Sequence, residues 1–384
     1  MLVKRERHNM APRRRYGGLA AAALSIGLVV TACSDPSPAP AGSSSGGDST
    51  TVSAGMVAAI DQIGLPAALD QGFFEKEGLN VEIAEPYASG TDQLNALDAG
   101  QIDIAQVGSP VLGAVLSGAD YVLLGNYTGS AAKYGSDETM AVVARDGSGI
   151  KEGDLRTLKG KKIGVTVGSI NHLYLLAVLE DLGMSPDDVK IVNTAPPDMA
   201  VGLQTSGIDA AIVWDPFPMM ITDQVEGSYD VARGGDYIGF LGYVVAERTW
   251  AEENPDVVKS FLTARAKADQ WMRKNPDDAA EVASRWLSDL DPEIASESMK
   301  YNVTQLDPRI SACNYAALND AMVTLDELDA LDGTFDVNKI FEPSTITGIA
   351  KDQPAVFDDL KPIPKSAQIT DGFTYDPKAN QCPQ

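Results

Sequence analysis

The chain is poor in the residues that most metal and nucleophilic chemistry draws on. Its 384 residues hold two histidines, His8 and His172, and three cysteines, Cys33, Cys313 and Cys382. No Cys or His pair stands at metal-ligand spacing, so no metal and no other cofactor is expected. Basic residues are scarce as well: 30 Lys and Arg stand against 54 Asp and Glu, a formal charge of −24. Such a surface repels nucleic acid and anionic lipid headgroups, which excludes a nucleic-acid partner. Nowhere is there a run of roughly eighteen apolar residues, so no segment reads as a membrane-spanning helix.

What the N-terminus does contain is Lys4, Arg5, Arg7, Arg13, Arg14 and Arg15, followed by an apolar stretch over 19–30. That stretch is too short to span a bilayer and suits a secretory signal. Val30, Thr31, Ala32 and Cys33 resemble a lipobox, which predicts a signal peptide over 1–32 and a lipidated Cys33. Arg13 and Arg14 leave export by the general or the twin-arginine route open. From 34 to 51 the chain is Ser, Gly, Pro, Ala and Asp with almost nothing apolar, a flexible tether. Without the signal, 24 basic residues face 53 acidic ones, a net charge of −29. Only Cys313 and Cys382 then remain besides the lipidated thiol. Outside the cytosol such an even pair is expected to be bridged.

The folded part is organised by an internal repeat. Residues 92–108 and 198–214 align without a gap at an offset of 106: Leu97 on Leu203, Ile102 on Ile208, Asp103 on Asp209, Ala105 on Ala211, Val107 on Val213. Each copy reads as a helix, a turn at Gly100 or at Ser206 and Gly207, and a short apolar strand. The strands end in loops that run into proline, through Gly108 and Ser109 to Pro110 and through Trp214 and Asp215 to Pro216. A strand over 52–60, a helix over 65–77 and a strand at 81–83 form a βαβ unit. The same order returns at 163–167, 170–182 and 189–192, giving two tandem α/β halves. Ligands of open α/β sheets sit beyond the carboxyl ends of the strands. Two such edges therefore predict one site between two lobes. Met140–Ala144 and Tyr243–Ala246 are expected to be hinge strands. Lobe one then covers 51–144 and 243–334, lobe two 145–242, and a C-terminal extension 335–384. The 33–50 segment is the anchor and tether. From 255 to 275, Val257, Phe261, Ala264, Ala268 and Trp271 form an apolar stripe expected to pack in the core.

Four segments carry a family resemblance: GLPAALDQGFFEKEG at 64–78, the Gly108, Ser109, Pro110 loop, GKKIGVTVGSINHLYLL at 160–176 and IVWDPF at 212–217. In their order and spacing the chain resembles solute-binding lipoproteins of ABC transporters of the nitrate, sulfonate and taurine class, over most of 51–305. The resemblance implies a type II periplasmic-binding fold whose two α/β lobes close on an anion. It also implies an extracytoplasmic, lipid-anchored monomer whose partners are a small organic anion, an ABC permease and its ATPase. The Ile170 and Asn171 positions and the cysteine-bearing C-terminal extension depart from the family pattern.

An anion can be held without basic side chains where backbone N–H groups and hydroxyls converge at helix N-termini. Ser109 before Pro110, and Gly168 with Ser169 before the 170–182 helix, are placed to do so. Asn171 and His172 follow in the first turn, and the family's sulfonate branch has a histidine at the matching place. Trp214 is expected to wall the pocket. Asp215 is read first as the cap of the next helix and second as partner to an amine on a zwitterion such as taurine. Asp61 and Gln62, with Ile60, complete the ring; an unpaired Asp61 carboxylate sits awkwardly beside an anion. A binder of a thiamin-precursor pyrimidine or an aromatic carboxylate is the alternative on the same fold. An enzyme like the pyrimidine synthases lacks its cysteine-rich motif and histidines here, so no catalytic residue is expected.

Overall fold

The computed structural model describes residues 49–382 apart from 88 and 289. The signal segment, Cys33 and most of the tether lie outside the described residues. Among the described residues no helix is long and apolar enough to cross a membrane.

Among the described residues ten strands form two five-stranded sheets. The first holds β1 (Thr50–Gly55), β2 (Leu79–Ile83), β3 (Ile104–Val107), β4 (Tyr121–Asn126) and β10 (Tyr243–Glu247), in the order β2-β1-β3-β10-β4. The second holds β5 (Met140–Ala144), β6 (Lys162–Val165), β7 (Lys190–Asn193), β8 (Ala210–Trp214) and β9 (Tyr229–Arg233), in the order β7-β6-β8-β5-β9. In each, three parallel strands are followed by a pair made antiparallel by one strand that arrives from, or leaves for, the other sheet.

The repeat has a physical basis at matching atoms. Asp103 accepts the Ser53 backbone N–H at 2.8 Å, and its own N–H donates to the Ser53 carbonyl at 2.8 Å. Asp209 does the same with Lys162, at 3.0 and 2.7 Å. Each aspartate thus pins the third strand of its half to the first. The isoleucines of the repeat fill equivalent places: a Cβ on Gly55 would stand 2.7 Å from Ile102 Cδ1, and one on Gly164 2.6 Å from Ile208 Cδ1. Gly100 and Ser206 both turn with positive φ, 63° and 57°.

Several expected boundaries move. The first strand ends at Gly55, and Ile60–Gln62 forms a 3-10 turn rather than a strand end. The helix read over 65–77 breaks at Gly72, whose φ of 66° belongs to the left-handed region, and leaves two short helices, Gly64–Asp70 and Phe73–Lys76. Met140–Ala144, expected to end lobe one, is fully buried inside the second sheet between β8 and β9. The chain therefore crosses between sheets in 127–139 and 234–242 instead of through the expected hinge strands. The two crossings bind each other. Asp137 accepts the N–H groups of Asp236, Tyr237 and Ile238, and Ser136 N–H donates to the Ile238 carbonyl.

The long helix Pro255–Lys274 packs on both short helices and on Ser344–Asp352, with Phe261 against Phe74 at 5.1 Å between ring centres. Its buried face is broader than the predicted stripe and includes Arg265, ion-paired to Asp269 at 3.2 Å. A Cβ on Gly64 would fall 2.1 Å from that guanidinium, so glycine there makes room for it. The C-terminal segment docks on the free edge of β4, where Leu123 N–H donates to Ile340 and accepts Glu342 N–H at its carbonyl. Covering an edge in this way removes a template for association. Tyr315 stacks on Phe341 at 4.0 Å, and a Cys313–Cys382 disulfide ties the chain end to helix Ala312–Glu327.

Candidate ligand-binding site

The loops that follow β1, β3 and β8 and the turn that follows β6 converge where the two lobes meet. They form a partly open cavity of about 100 Å³ lined by Asp61, Gln62, Gln106, Gly108, Ser109, Tyr127, Ser169, Ile170 and Trp214, with Phe240 and Leu241 from the second crossing. Drug-sized pockets run to ~300–1,000 Å³, so this space suits a ligand of few heavy atoms. Gly108 is required by closeness: a Cβ there would stand 2.7 Å from the Leu241 carbonyl oxygen. Across the junction Ser109 Oγ donates to the Gly168 carbonyl at 3.4 Å.

On the lobe-one wall the polar groups hold one another. Gln62 Oε1 accepts Val57 N–H at 2.8 Å, and its amide donates to the Gln106 carbonyl and Tyr127 hydroxyl, both at 3.3 Å. Gln106 returns a bond to the Gln62 carbonyl at 3.1 Å. Burial holds the Tyr127 phenol well above its ordinary range, so it stays a neutral O–H. Asp61 is 6% exposed and its Oδ1 has no partner. Burial pushes its carboxyl up to about 7, and the nearby Asp215 charge adds to this.

The lobe-two wall is the start of helix Ile170–Asp181. Ser169 has extended backbone before it and a hydroxyl that caps nothing. Its neighbour Gly168 takes φ 82°, which favours glycine. Trp214 is half-buried at the end of β8 and meets Phe217 edge-on at 6.2 Å.

Of the residues singled out from sequence, Asp61, Gln62, Gly108, Ser109, Ser169 and Trp214 line the cavity. Ile60, Gly168, Asn171, His172 and Asp215 do not, and the last three have structural tasks. His172 Nδ1 accepts the Gly168 N–H at 3.2 Å, so the ring supports the turn; burial pushes it below its usual 6.5, toward the neutral form. Asn171 is fully buried, accepting Thr166 N–H and donating to the Ile212 carbonyl, and so ties the helix start to β8. Asp215 does not cap the following helix. Arg233 Nη1 lies 2.8 and 2.9 Å from its two oxygens, and Arg233 in turn sits 4.4 Å over the Tyr301 ring. Ser109, for its part, spends its hydroxyl across the junction rather than on its helix. Gly168 borders the wider open groove outside the cavity. Sequence reading missed Gln106 and Tyr127, whose signals were a polar residue in an apolar strand and an aromatic just after β4. Among the described residues no group of three or more His, Cys, Asp or Glu could hold a metal ion.

The cavity lies between two sheets of matching topology, at their strand ends, the arrangement of a two-lobed periplasmic-binding fold. A family model described as NMT1/THI5 like matches residues 59–279, more than half of the chain, which therefore belongs to that family. A Bacillus subtilis (strain 168) protein designated as aliphatic sulfonates-binding is 29% identical over 274 residues, 71% of this chain and 79% of that one. A Brucella abortus (strain 2308) protein designated a binding protein is 27% identical over 223 residues, 57% of this chain and 66% of its own length. Among solved structures, the nitrate-binding protein NrtA of Synechocystis superposes with a TM-score of 0.67 at 19% identity, covering 85% of this chain and 96% of that one. The periplasmic aliphatic sulphonate binding protein SsuA of Escherichia coli gives 0.65 at 21% identity, covering 76% and 97%. These likenesses establish the periplasmic-binding fold, and the relatives are binding proteins rather than enzymes.

Proposed function

We propose that this chain is the extracytoplasmic, lipid-anchored receptor of an ABC importer, which captures a small organic anion and hands it to the permease. The observation that carries the reading is the small cleft at the lobe junction, bordered by the start of the twelve-residue helix Ile170–Asp181 with the uncommitted Ser169 hydroxyl beside it. First-turn N–H groups and the helix dipole favour negative charge there. Among the described residues no Lys or Arg lines the cavity, so an anion is held by short-range hydrogen bonds rather than by an opposite charge. The sulfonate-binding and nitrate-binding relatives support an oxyanion, and the anchor rests on the lipobox-like segment ending at Cys33.

A ligand that binds both lobes stabilises the closed form by RT ln(1 + [L]/Kd), about 2.7 kcal/mol at a hundredfold excess over Kd. A thermal-shift panel of alkanesulfonates, nitrate, small carboxylates and pyrimidines on the mature protein should single out one class of anion. No stabilisation by any anion overturns the reading. The mass of a small molecule co-purifying with the protein identifies the ligand directly.

A further inference from the structure

A cavity that receives an anion is lined here by a carboxyl group and, among the described residues, by no Lys or Arg. Asp61 Oδ1 is buried without a partner, and Gln106 Oε1 on the same wall is a second buried acceptor without one. Gln106 spends its amide on Gln62, so its free atom can only accept. A space of about 100 Å³ sets any bound anion close against Asp61. Two like charges so placed, with no cation between them, do not both stay ionised in a buried site. A sulfonate or nitrate keeps its charge, and the carboxylate is the group that can give its charge up. We infer that the anion is captured together with a proton, which Asp61 takes from solvent and which turns its free oxygen from an acceptor into an O–H donor to the ligand.

The inference rests on the lobe-junction site proposed above and adds a second ligand, the proton, to it. The groups packed around Asp61 leave that role to it alone. Tyr127, just after β4, offers a neutral hydroxyl, and Asp215, at the end of β8, adds to the cost of ionising Asp61. Helix Pro292–Asn302 packs on the Ile60–Gln62 turn and carries Glu293, Glu297, Lys300 and Tyr301. Lys300 is paired with Glu297 at 2.5 Å, and Tyr301 lies under Arg233, which is itself held by Asp215. Helix Gly64–Asp70 ends in Asp70, held by Arg285 at 2.8 Å. Each cation in this shell therefore has its own carboxylate. On the facing wall His172 is spent on the Gly168 N–H and pushed toward the neutral form, so it does not compete for the proton above pH 7. Burial raises the Asp61 carboxyl to about 7 before any ligand arrives, which makes its protonation inexpensive near neutrality. Lobe one then offers the Asp61 and Tyr127 O–H groups and lobe two the Ser169 hydroxyl and first-turn N–H groups, donors from both sides of one anion.

The test is calorimetric titration of the mature protein with nitrate and with ethanesulfonate, anions that do not themselves titrate between pH 5 and pH 9; if another anion of the panel is the one that binds, the same titration applies to it. Runs at pH 8 in two buffers of different ionisation enthalpy should show close to one proton taken up for each anion bound. Affinity should fall about tenfold for each pH unit above about pH 7, because only the protonated carboxyl accepts the anion. In Asp61→Asn the proton uptake and the pH dependence should both vanish, while the amide donor keeps binding at pH 8 at least as tight as in the wild type. The unfolding temperature of the unliganded variant verifies that it folds. Wild-type affinity that is flat from pH 6 to pH 9 without proton uptake, or a pH dependence that survives in Asp61→Asn, overturns the inference and leaves the site reading standing. Absence of binding by every anion of the panel at pH 6 overturns both.

Discussion

Asp61→Asn should make the unliganded protein more stable at neutral pH. The Asp61 carboxyl is raised from 3.8 to about 7, chiefly by burial and further by the charge of Asp215; the neutral Tyr127 hydroxyl faces it as well. A carboxyl raised in the folded state contributes its full stability below pH 3.8 and loses it as pH climbs to about 7. At ~1.4 kcal/mol for each pH unit, that interval sets a ceiling of about 4 kcal/mol. One carboxylate oxygen keeps its own backbone N–H and water can enter the cavity, so a gain of ~2 kcal/mol is expected for asparagine at pH 8. Over roughly 330 residues the unfolding entropy is ~0.7 kcal/mol per degree, which converts the gain to a Tm about 3 °C higher. Thermal unfolding without ligand, followed by circular dichroism from pH 4 to pH 8, should show the two proteins alike at the acid end and separating up to about pH 7. Burial pushes the Asp215 carboxyl up to about 7 as well, in both proteins, so its own contribution largely cancels. A variant less stable than wild type at pH 8, or a difference independent of pH, would refute the buried, unpaired carboxylate.

Cys33→Ala should move the protein from the membrane to the soluble fraction on fractionation of the producing cells, and a variant that stays membrane-bound contradicts the anchor. Reduction, or Cys382→Ser, opens a loop of 69 residues; the chain-entropy model gives a loss of about 4 kcal/mol, read as a lower Tm in thermal unfolding. Gly164→Ala places a methyl against Ile208 and should cost ~1–3 kcal/mol, with much of it restored by Ile208→Val; Gly55→Ala with Ile102→Val should follow suit if the two halves are equivalent.

The repeat was readable because it is local: helix, turn, aspartate and apolar strand sit within seventeen residues, and equal spacing gives equal hydrogen bonds at Asp103 and Asp209. Strand-end loops followed, and with them Ser109, Ser169 and Trp214. The hinge was misplaced because sheet membership of Met140–Ala144 depends on β8 and β9, some seventy to ninety residues further on. Asp215 was misread for the same reason, since its partner Arg233 comes from another strand. His172 stands at a helix start like a ligand, yet the left-handed turn at Gly168 directs a backbone N–H onto its ring. Nothing local in the sequence announces that Gly64 opens a buried space for the Arg265 and Asp269 pair.

The most direct test of the central claim is equilibrium titration of the stabilising anion against wild type, Trp214→Ala and Ser169→Ala. Trp214 and Ser169 line the cavity from lobe two, and neither side chain makes a hydrogen bond within the protein. The account predicts one ligand per wild-type chain and at least tenfold weaker binding to each variant, with an unliganded Tm close to wild type for Ser169→Ala and a lower one for Trp214→Ala, which also loses its packing on Phe217. Wild-type affinity in both variants would contradict it and place the binding site elsewhere on the molecule.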